Sequence, residues 1–106
     1  MAKVHVVPGI CGFTADIEAF SEDGQMCRVS VATDCPHVER FAEALAARGE
    51  LDAYEQVFGT FGKNGVSEDA AHLRHPVCTV PAGVLKAIEV ACGLALPKDC
   101  SLTIEK

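Results

Sequence analysis

The chain has 106 residues, of which 49% are hydrophobic and 23% charged, and its net charge at pH 7 is −6. A chain of this length is most simply a single domain, residues 1–106, with enough hydrophobic content to bury a core. The negative charge opposes binding to phosphate backbones and anionic membranes, and the absence of Trp argues against base stacking. We therefore expect neither a nucleic-acid nor a membrane partner.

The first third of the chain predicts three β-strands. They are AKVHVV (residues 2–7), FTADIEAF (13–20) and QMCRVSVAT (25–33), and the turn SEDG joins the last two as a hairpin. Alternation between apolar and polar residues assigns one face of the second and third strands to the core. The inward residues are Phe13, Ala15, Ile17, Ala19, Cys27, Val29 and Val31.

The middle of the chain predicts helices. The first begins at Pro36 and continues to Gly49, with apolar residues at intervals of three and four: Val38, Phe41, Ala42 and Leu45. A second, weaker helix covers LDAYEQVF (residues 51–58), followed by glycines at 59 and 62.

A third helix is predicted to begin after an N-cap at Ser67 and to stop at Pro76, with His75 in its last turn. The fourth opens at Pro81 and ends before Pro97. Its apolar face comprises Val84, Leu85, Ile88, Ala91 and Cys92.

The segment CSLTIE (residues 100–105) alternates again and predicts a final strand that returns to the sheet. The resulting order is β-β-β-α-α-α-α-β. It indicates an α+β fold with a mainly antiparallel sheet and helices packed on one face.

Six cysteines raise the question of redox compartment. The N-terminal run MAKVHVVPGICGF is too short and too interrupted for a signal peptide, so we expect a cytoplasmic protein with reduced thiols. Metal or thiol chemistry is then favoured over disulfides, although the chain has no CxxC pair.

Periodicity divides the cysteines into two groups. Cys27 and Cys100 fall on the inward face of predicted strands and Cys92 on the apolar face of the last helix, so these three are expected in the core. The other three lie in loops at the ends of elements: Cys11 in PGICGF, Cys35 in TDCPH and Cys78 in HPVCTVP.

The three loop cysteines form the candidate site. Cys35 and Cys78 each precede a predicted helix, whose free N–H groups and dipole favour a thiolate. Three thiolates drawn together repel one another unless a cation holds them, which predicts a metal ion or an iron–sulfur cluster.

His75, three residues before Cys78, is the first candidate for a fourth ligand; its other interpretation is a cation that suits the end of a helix. His37 is the second candidate. His72 could assist as a neighbour of His75, whereas His5 is interpreted as a surface strand residue. Zinc would take the set of three cysteines and one histidine, and a cluster could use the three cysteines alone; the sequence does not choose between these cofactors.

Two other classes of function stay open. Cys35, close to Asp34 and His37 at a helix start, could be the nucleophile of a thiol-dependent enzyme. A metal-free interaction protein would tolerate serine at all three loop cysteines. The metal-binding interpretation implies a protein partner for metal or electron transfer.

The motifs PGICGF, DCP, HPVC and KAIEVACGLALP resemble a small family of uncharacterised single-domain proteins from anaerobic bacteria and archaea. The resemblance extends over nearly the whole chain. It implies that Cys11, Cys35 and Cys78 are shared family positions, whereas Cys27, Cys92 and Cys100 are individual to this chain. It implies no activity, and an anaerobic setting would suit an oxygen-sensitive cluster.

Overall fold

The computed structural model describes residues 1–59, 64–75 and 77–106. The predicted positions Gly62 and Pro76 lie outside these ranges. In chain order the elements are β1 (Ala2–Val6), β2 (Ala15–Phe20), β3 (Met26–Thr33), α1 (Pro36–Ala47), β4 (Leu51–Asp52), α2 (Ala53–Phe58), α3 (Gly65–Asp69), a 3₁₀ turn (Ala70–His72) and α4 (Val80–Ala91).

The strands form one antiparallel sheet in the order β1-β2-β3-β4. Val6 pairs with Ala15, and Ala15 pairs with Thr33, so these three residues form a row across one end of the sheet. We call this the loop end, because the β1–β2 loop and the β3–α1 junction both lie there. The β2–β3 turn lies at the opposite end, which we call the hairpin end.

The helices cover one face of the sheet, as predicted. Helix α4 packs on β1 and β2, and α1 packs on β3. Alternate strand residues and the apolar helix faces meet in a single buried core, which includes Ala15, Ile17, Ala19, Cys27, Val38, Phe41, Leu45, Val80, Val84, Ala87 and Ile88. The α+β prediction, with its antiparallel sheet, is confirmed.

Gly83 determines how closely α4 approaches the sheet. A Cβ at this position would lie 2.5 Å from Val6 Cγ2 and 3.0 Å from Ile17 Cδ1, closer than non-bonded carbons approach. Near the other end of α4, the Cys92 carbonyl lies 3.6 Å from where a Cβ on Gly24 would stand. Helix α4 therefore runs from β1 at the loop end to the hairpin end.

Helix α1 runs in the same direction as α4. Two residues separate its start at Pro36 from the end of β3 at Thr33, and it returns toward the hairpin end. At its C-terminus the Arg48 guanidinium donates to both carboxylate oxygens of Asp69 at 2.7 and 3.0 Å, and to Glu68 at 3.1 Å. This ion pair joins α1 to α3.

The end of the chain departs from the prediction. Residues 97–106 form no strand and are all exposed, and the fourth strand is instead the two-residue β4 between α1 and α2. β4 pairs with Met26 and Cys27 at the hairpin end of β3. The C-terminal segment follows α4 at the same end of the sheet.

The third helix was predicted too late in the chain. Asn64, and not Ser67, is the N-cap, and its Oδ1 accepts from the Ser67 N–H at 2.8 Å. The α-helix ends at Asp69 and the 3₁₀ turn at His72. Asparagine and serine are equally good N-cap residues, so both Asn64 and Ser67 suit the start of a helix. His75 consequently lies beyond the end of the helix.

We expect Gly83→Ala to lower the free energy of unfolding by about 1–3 kcal/mol, because the added methyl group overlaps Val6 and Ile17. Helix propensity alone would make Gly83→Ala raise the free energy of unfolding by about 1 kcal/mol. The steric overlap therefore predicts an effect of the opposite sign. Urea unfolding measures the effect.

Ala82→Gly, at the exposed neighbouring position, measures the effect of helix propensity alone. It should lower the free energy of unfolding by about 1 kcal/mol. A stabilised Gly83→Ala variant would contradict the close packing of α4 on β1.

Candidate thiol site

Cys11 lies at the tip of the β1–β2 loop, at the loop end of the sheet. The Gly12 N–H donates to the Gly9 carbonyl at 3.2 Å and closes a tight turn around Ile10 and Cys11. Gly9 and Gly12 have φ values of 127° and 77°, which favour glycine. The Cys11 thiol is exposed.

Cys35 occupies the junction between β3 and α1, as the N-cap residue of that helix. Its N–H donates to Thr33 Oγ1 at 3.1 Å, and its carbonyl accepts from the Glu39 N–H at 2.9 Å. Thr33 Oγ1 itself donates to the Thr14 carbonyl at 2.8 Å, which ties this junction to the β1–β2 loop. The half-buried side chain packs against the core and makes no capping hydrogen bond.

Cys78 lies two residues before α4. Its N–H donates to the His75 carbonyl at 3.2 Å, which holds the two predicted ligands in one turn. The half-buried side chain packs against the same core as Cys35. Thr79, the N-cap of α4, makes no side-chain capping hydrogen bond.

The topology brings the three loops to the same end of the sheet. The β1–β2 loop follows β1, and Cys35 follows β3. These two strands are two positions apart in the sheet, so their axes are separated by roughly 10 Å at the usual strand spacing. Helix α4 begins at Val80, about one turn before Gly83, which contacts Val6 at the loop end. Cys78 precedes this helix and therefore also lies at the loop end. The loop end therefore combines three thiols with the N-termini of two parallel 12-residue helices.

The arrangement is not a closed metal site. Within residues 1–59, 64–75 and 77–106, no three His, Cys, Asp or Glu side chains form a group that could hold a metal ion. The fold brings Cys11, Cys35 and Cys78 to one end without placing them, with or without His75, in such a group.

The histidines are placed differently from one another. His75 is exposed and lies in no helix, so the interpretation of it as a cation in the last turn of a helix is wrong. His37 Nδ1 lies 3.5 Å from an Arg40 guanidinium nitrogen. His5 is a surface strand residue, as predicted, and its Nδ1 lies 2.6 Å from Asp16 Oδ1. His72 is exposed at the end of the 3₁₀ turn.

Two of the three predicted core cysteines are confirmed. Cys27 and Cys92 are buried, whereas Cys100 is exposed because its predicted strand does not form. Burial, with the neighbouring Cys92 thiol, raises the pKa of Cys27 to about 11 from its ordinary value of 9.0. Cys27 is therefore a protonated, inert thiol at neutral pH.

Exposed apolar side chains at the loop end were not predicted. Val7, Ile10 and Phe13 project from the β1–β2 loop, and Val77 lies beside Cys78. Alternation assigned Phe13 to the core, but β2 begins only at Ala15, which leaves Phe13 outside the sheet. We call these four residues the apolar rim. Their position beside the loop cysteines suits contact with another molecule.

These features define an α+β domain with a cysteine-bearing loop end. The chain belongs to a family of unknown function, DUF6951, whose model matches residues 2–104. This confirms the resemblance to an uncharacterised family over nearly the whole chain. No curated protein and no solved structure matches it. In the part of the chain that the structure describes, no helix is long and apolar enough to cross a membrane.

The raised pKa of Cys27 predicts a loss of stability in alkali. As pH rises above 9.0, the thiol loses its proton in the unfolded chain before it does so in the folded protein. Its contribution is therefore complete below pH 9.0 and is lost as pH rises through about 11, by roughly 2–3 kcal/mol. Denaturant unfolding at a series of pH values measures this slope.

Cys27→Ala should flatten the slope, although the smaller side chain lowers stability at every pH. Cys100→Ser, which changes an exposed thiol, should retain it. An identical slope in wild type and Cys27→Ala would show that other groups cause the alkaline loss.

Proposed function

We propose that this protein binds a metal centre, a zinc ion or an iron–sulfur cluster, through Cys11, Cys35 and Cys78, with His75 as the fourth ligand. The observation that carries the proposal is the convergence of three cysteine-bearing loops at one end of the sheet. Zinc and clusters both take thiolate ligands, and a set of three cysteines and one histidine is a familiar zinc site.

The helix N-termini at this end suit negatively charged ligands. Cys35 is the N-cap of α1, and Cys78 lies two residues before α4. Neither N-cap side chain bonds to the first-turn N–H groups. Those N–H groups are available to stabilise the negative charge of metal-bound sulfur.

The three thiols do not form a ligand group in the part of the chain that the structure describes, so formation of the site requires them to move closer together. The turn that holds Cys11 is exposed and has a glycine at each end. His75 is already joined to Cys78 through a backbone hydrogen bond. A site with one ligand on an exposed loop suits a metal or electron carrier better than a structural zinc site, which is closed.

The apolar rim suits a protein partner for such a transfer. Val7, Ile10 and Phe13 lie in the loop that carries Cys11, Val77 precedes Cys78, and all four are exposed. A partner that covers them would exclude water from the centre during transfer. If the protein operates in the cytoplasm of anaerobic organisms, as the resemblance suggests, a cluster is favoured over zinc.

A second candidate is a thiol-dependent enzyme with Cys35 as nucleophile. Its half-buried thiol at the N-cap of a long helix, with no capping hydrogen bond, supports this alternative. Such an enzyme also needs a general base that reaches the sulfur, and His37, in the first turn of α1, is the histidine nearest to Cys35 in sequence.

Purification under anaerobic conditions, followed by metal and sulfide analysis and a visible spectrum, tests the proposal. Iron with acid-labile sulfide indicates a cluster, and stoichiometric zinc without sulfide indicates a zinc site. We expect Cys11→Ser, Cys35→Ser and Cys78→Ser each to weaken metal binding at least about tenfold, because each removes a proposed ligand.

Cys100→Ser is the matched control, since it removes an exposed thiol far along the chain and should leave metal content unchanged. His75→Ala tests the fourth ligand. Equal metal content in the wild type and the loop variants, or none in any of them, would overturn the proposal. Selective modification of Cys35 in metal-free protein would favour the enzyme. Retained partner binding by all three serine variants would favour a metal-free interaction protein.

A further inference from the structure

The C-terminal segment carries apolar side chains that the described fold does not use. Residues 97–106 are all exposed, and Leu102 and Ile104 are 79% and 90% exposed. The match to the family extends to residue 104, so these residues belong to the family's domain.

The segment has the pattern of a strand with one apolar face. Leu102 and Ile104 alternate with Ser101, Thr103 and Glu105. In β-strand addition an extended segment of this kind pairs with an exposed sheet edge, and its alternate side chains provide the specificity.

A free sheet edge matches this strand. In the part of the chain that the structure describes, β1 pairs with β2 on one side only, so its outer edge offers unpaired N–H and carbonyl groups. Along β1, Val4 and Val6 face the helices while Lys3 and His5 face outward. The edge therefore has the same alternation as the tail.

We propose that residues 100–105 of one copy add as an antiparallel strand to β1 of a second copy, and that the exchange is reciprocal. Leu102 would lie beside Val6 and Ile104 beside Val4, on the face that the helices cover. Glu105 would lie beside Lys3 on the outer face. The product is a two-fold dimer in which both β1 edges are paired.

The charges select the antiparallel direction. Lys3 Nζ lies 3.8 Å from Glu18 Oε1 on β2, and Glu105 would approach it from the opposite side. A parallel strand with Ile104 beside Val4 or Val6 would instead place Glu105 beside His5 or Val7, without a lysine partner. Opposite charges directly across a strand pair stabilise it.

The path of the chain selects a second copy over the chain's own edge. Helix α4 ends at Ala91, and the thiol of the next residue, Cys92, neighbours Cys27 on β3, while its carbonyl lies near the β2–β3 turn. The chain therefore leaves α4 two strands away from β1 and would have to cross the hairpin end of its own sheet to reach that edge. Pairing with another copy requires no such crossing.

The test measures molecular mass by sedimentation equilibrium in reducing buffer, in a Cys100→Ser background that prevents disulfide cross-links. The background protein should be a dimer. Leu102→Asp and Ile104→Asp should be monomeric, because each places a charge against the core-facing side of β1. Leu96→Asp, at an exposed apolar residue outside the strand pattern, should remain a dimer.

Charge reversal gives the sharper comparison. Lys3→Glu and Glu105→Lys should each raise the dimer dissociation constant about fivefold, and the double variant should restore it. Lys3 and Glu105 are both exposed, so the folded protomer should keep its circular dichroism spectrum.

A monomeric background protein would overturn the proposal. So would a dimer that survives Leu102→Asp, or a double reversal that does not restore association. Protection of tail amides from hydrogen exchange in a monomer would show that the segment pairs with its own sheet. None of these outcomes depends on metal binding.

Discussion

The close approach of α4 to β1 and β2 is the contact on which the rest of the architecture depends. Gly83 allows it, because any side chain there would overlap Val6 and Ile17. With this contact near the start of α4 and the neighbouring thiols of Cys27 and Cys92 near its end, the helix crosses the sheet from the loop end to the hairpin end. The same placement carries Cys78 to the end where β1 and β3 finish. Packing at a single glycine thus determines which loops are neighbours.

Because of this arrangement, α1 and α4 point in the same direction. Helices α1 and α4 both begin at the loop end, so their positive dipole ends face the same region of a chain whose net charge is −6. Two positive dipole ends at one place are compatible with the negative charge of metal-bound sulfur in the proposed site. The apolar rim at the same end adds a surface for a partner.

Local patterns predicted much of the fold. The three long strands, the buried face of β2 and β3, helix α1 from Pro36 and the apolar face of α4 all follow from periodicity and from proline positions. The errors arose where two local signals competed or where pairing decided the outcome. Asn64 and Ser67 are both good caps, and the earlier one begins α3. CSLTIE has a strand pattern but forms no strand, and the fourth strand is β4, which pairs with Met26 and Cys27.

The candidate site shows the same division. The sequence by itself determined that Cys11, Cys35 and Cys78 lie outside the strands and helices and that Cys27 and Cys92 are core residues, because alternation and helical spacing report which face of an element is apolar. Only the tertiary structure decided that the three cysteine-bearing loops share one end of the sheet, that Cys100 is exposed and that His75 lies outside a helix. The physical reason is that periodicity within an element carries no information about its neighbours. Those depend on contacts between residues far apart in the chain, such as Gly83 and Val6.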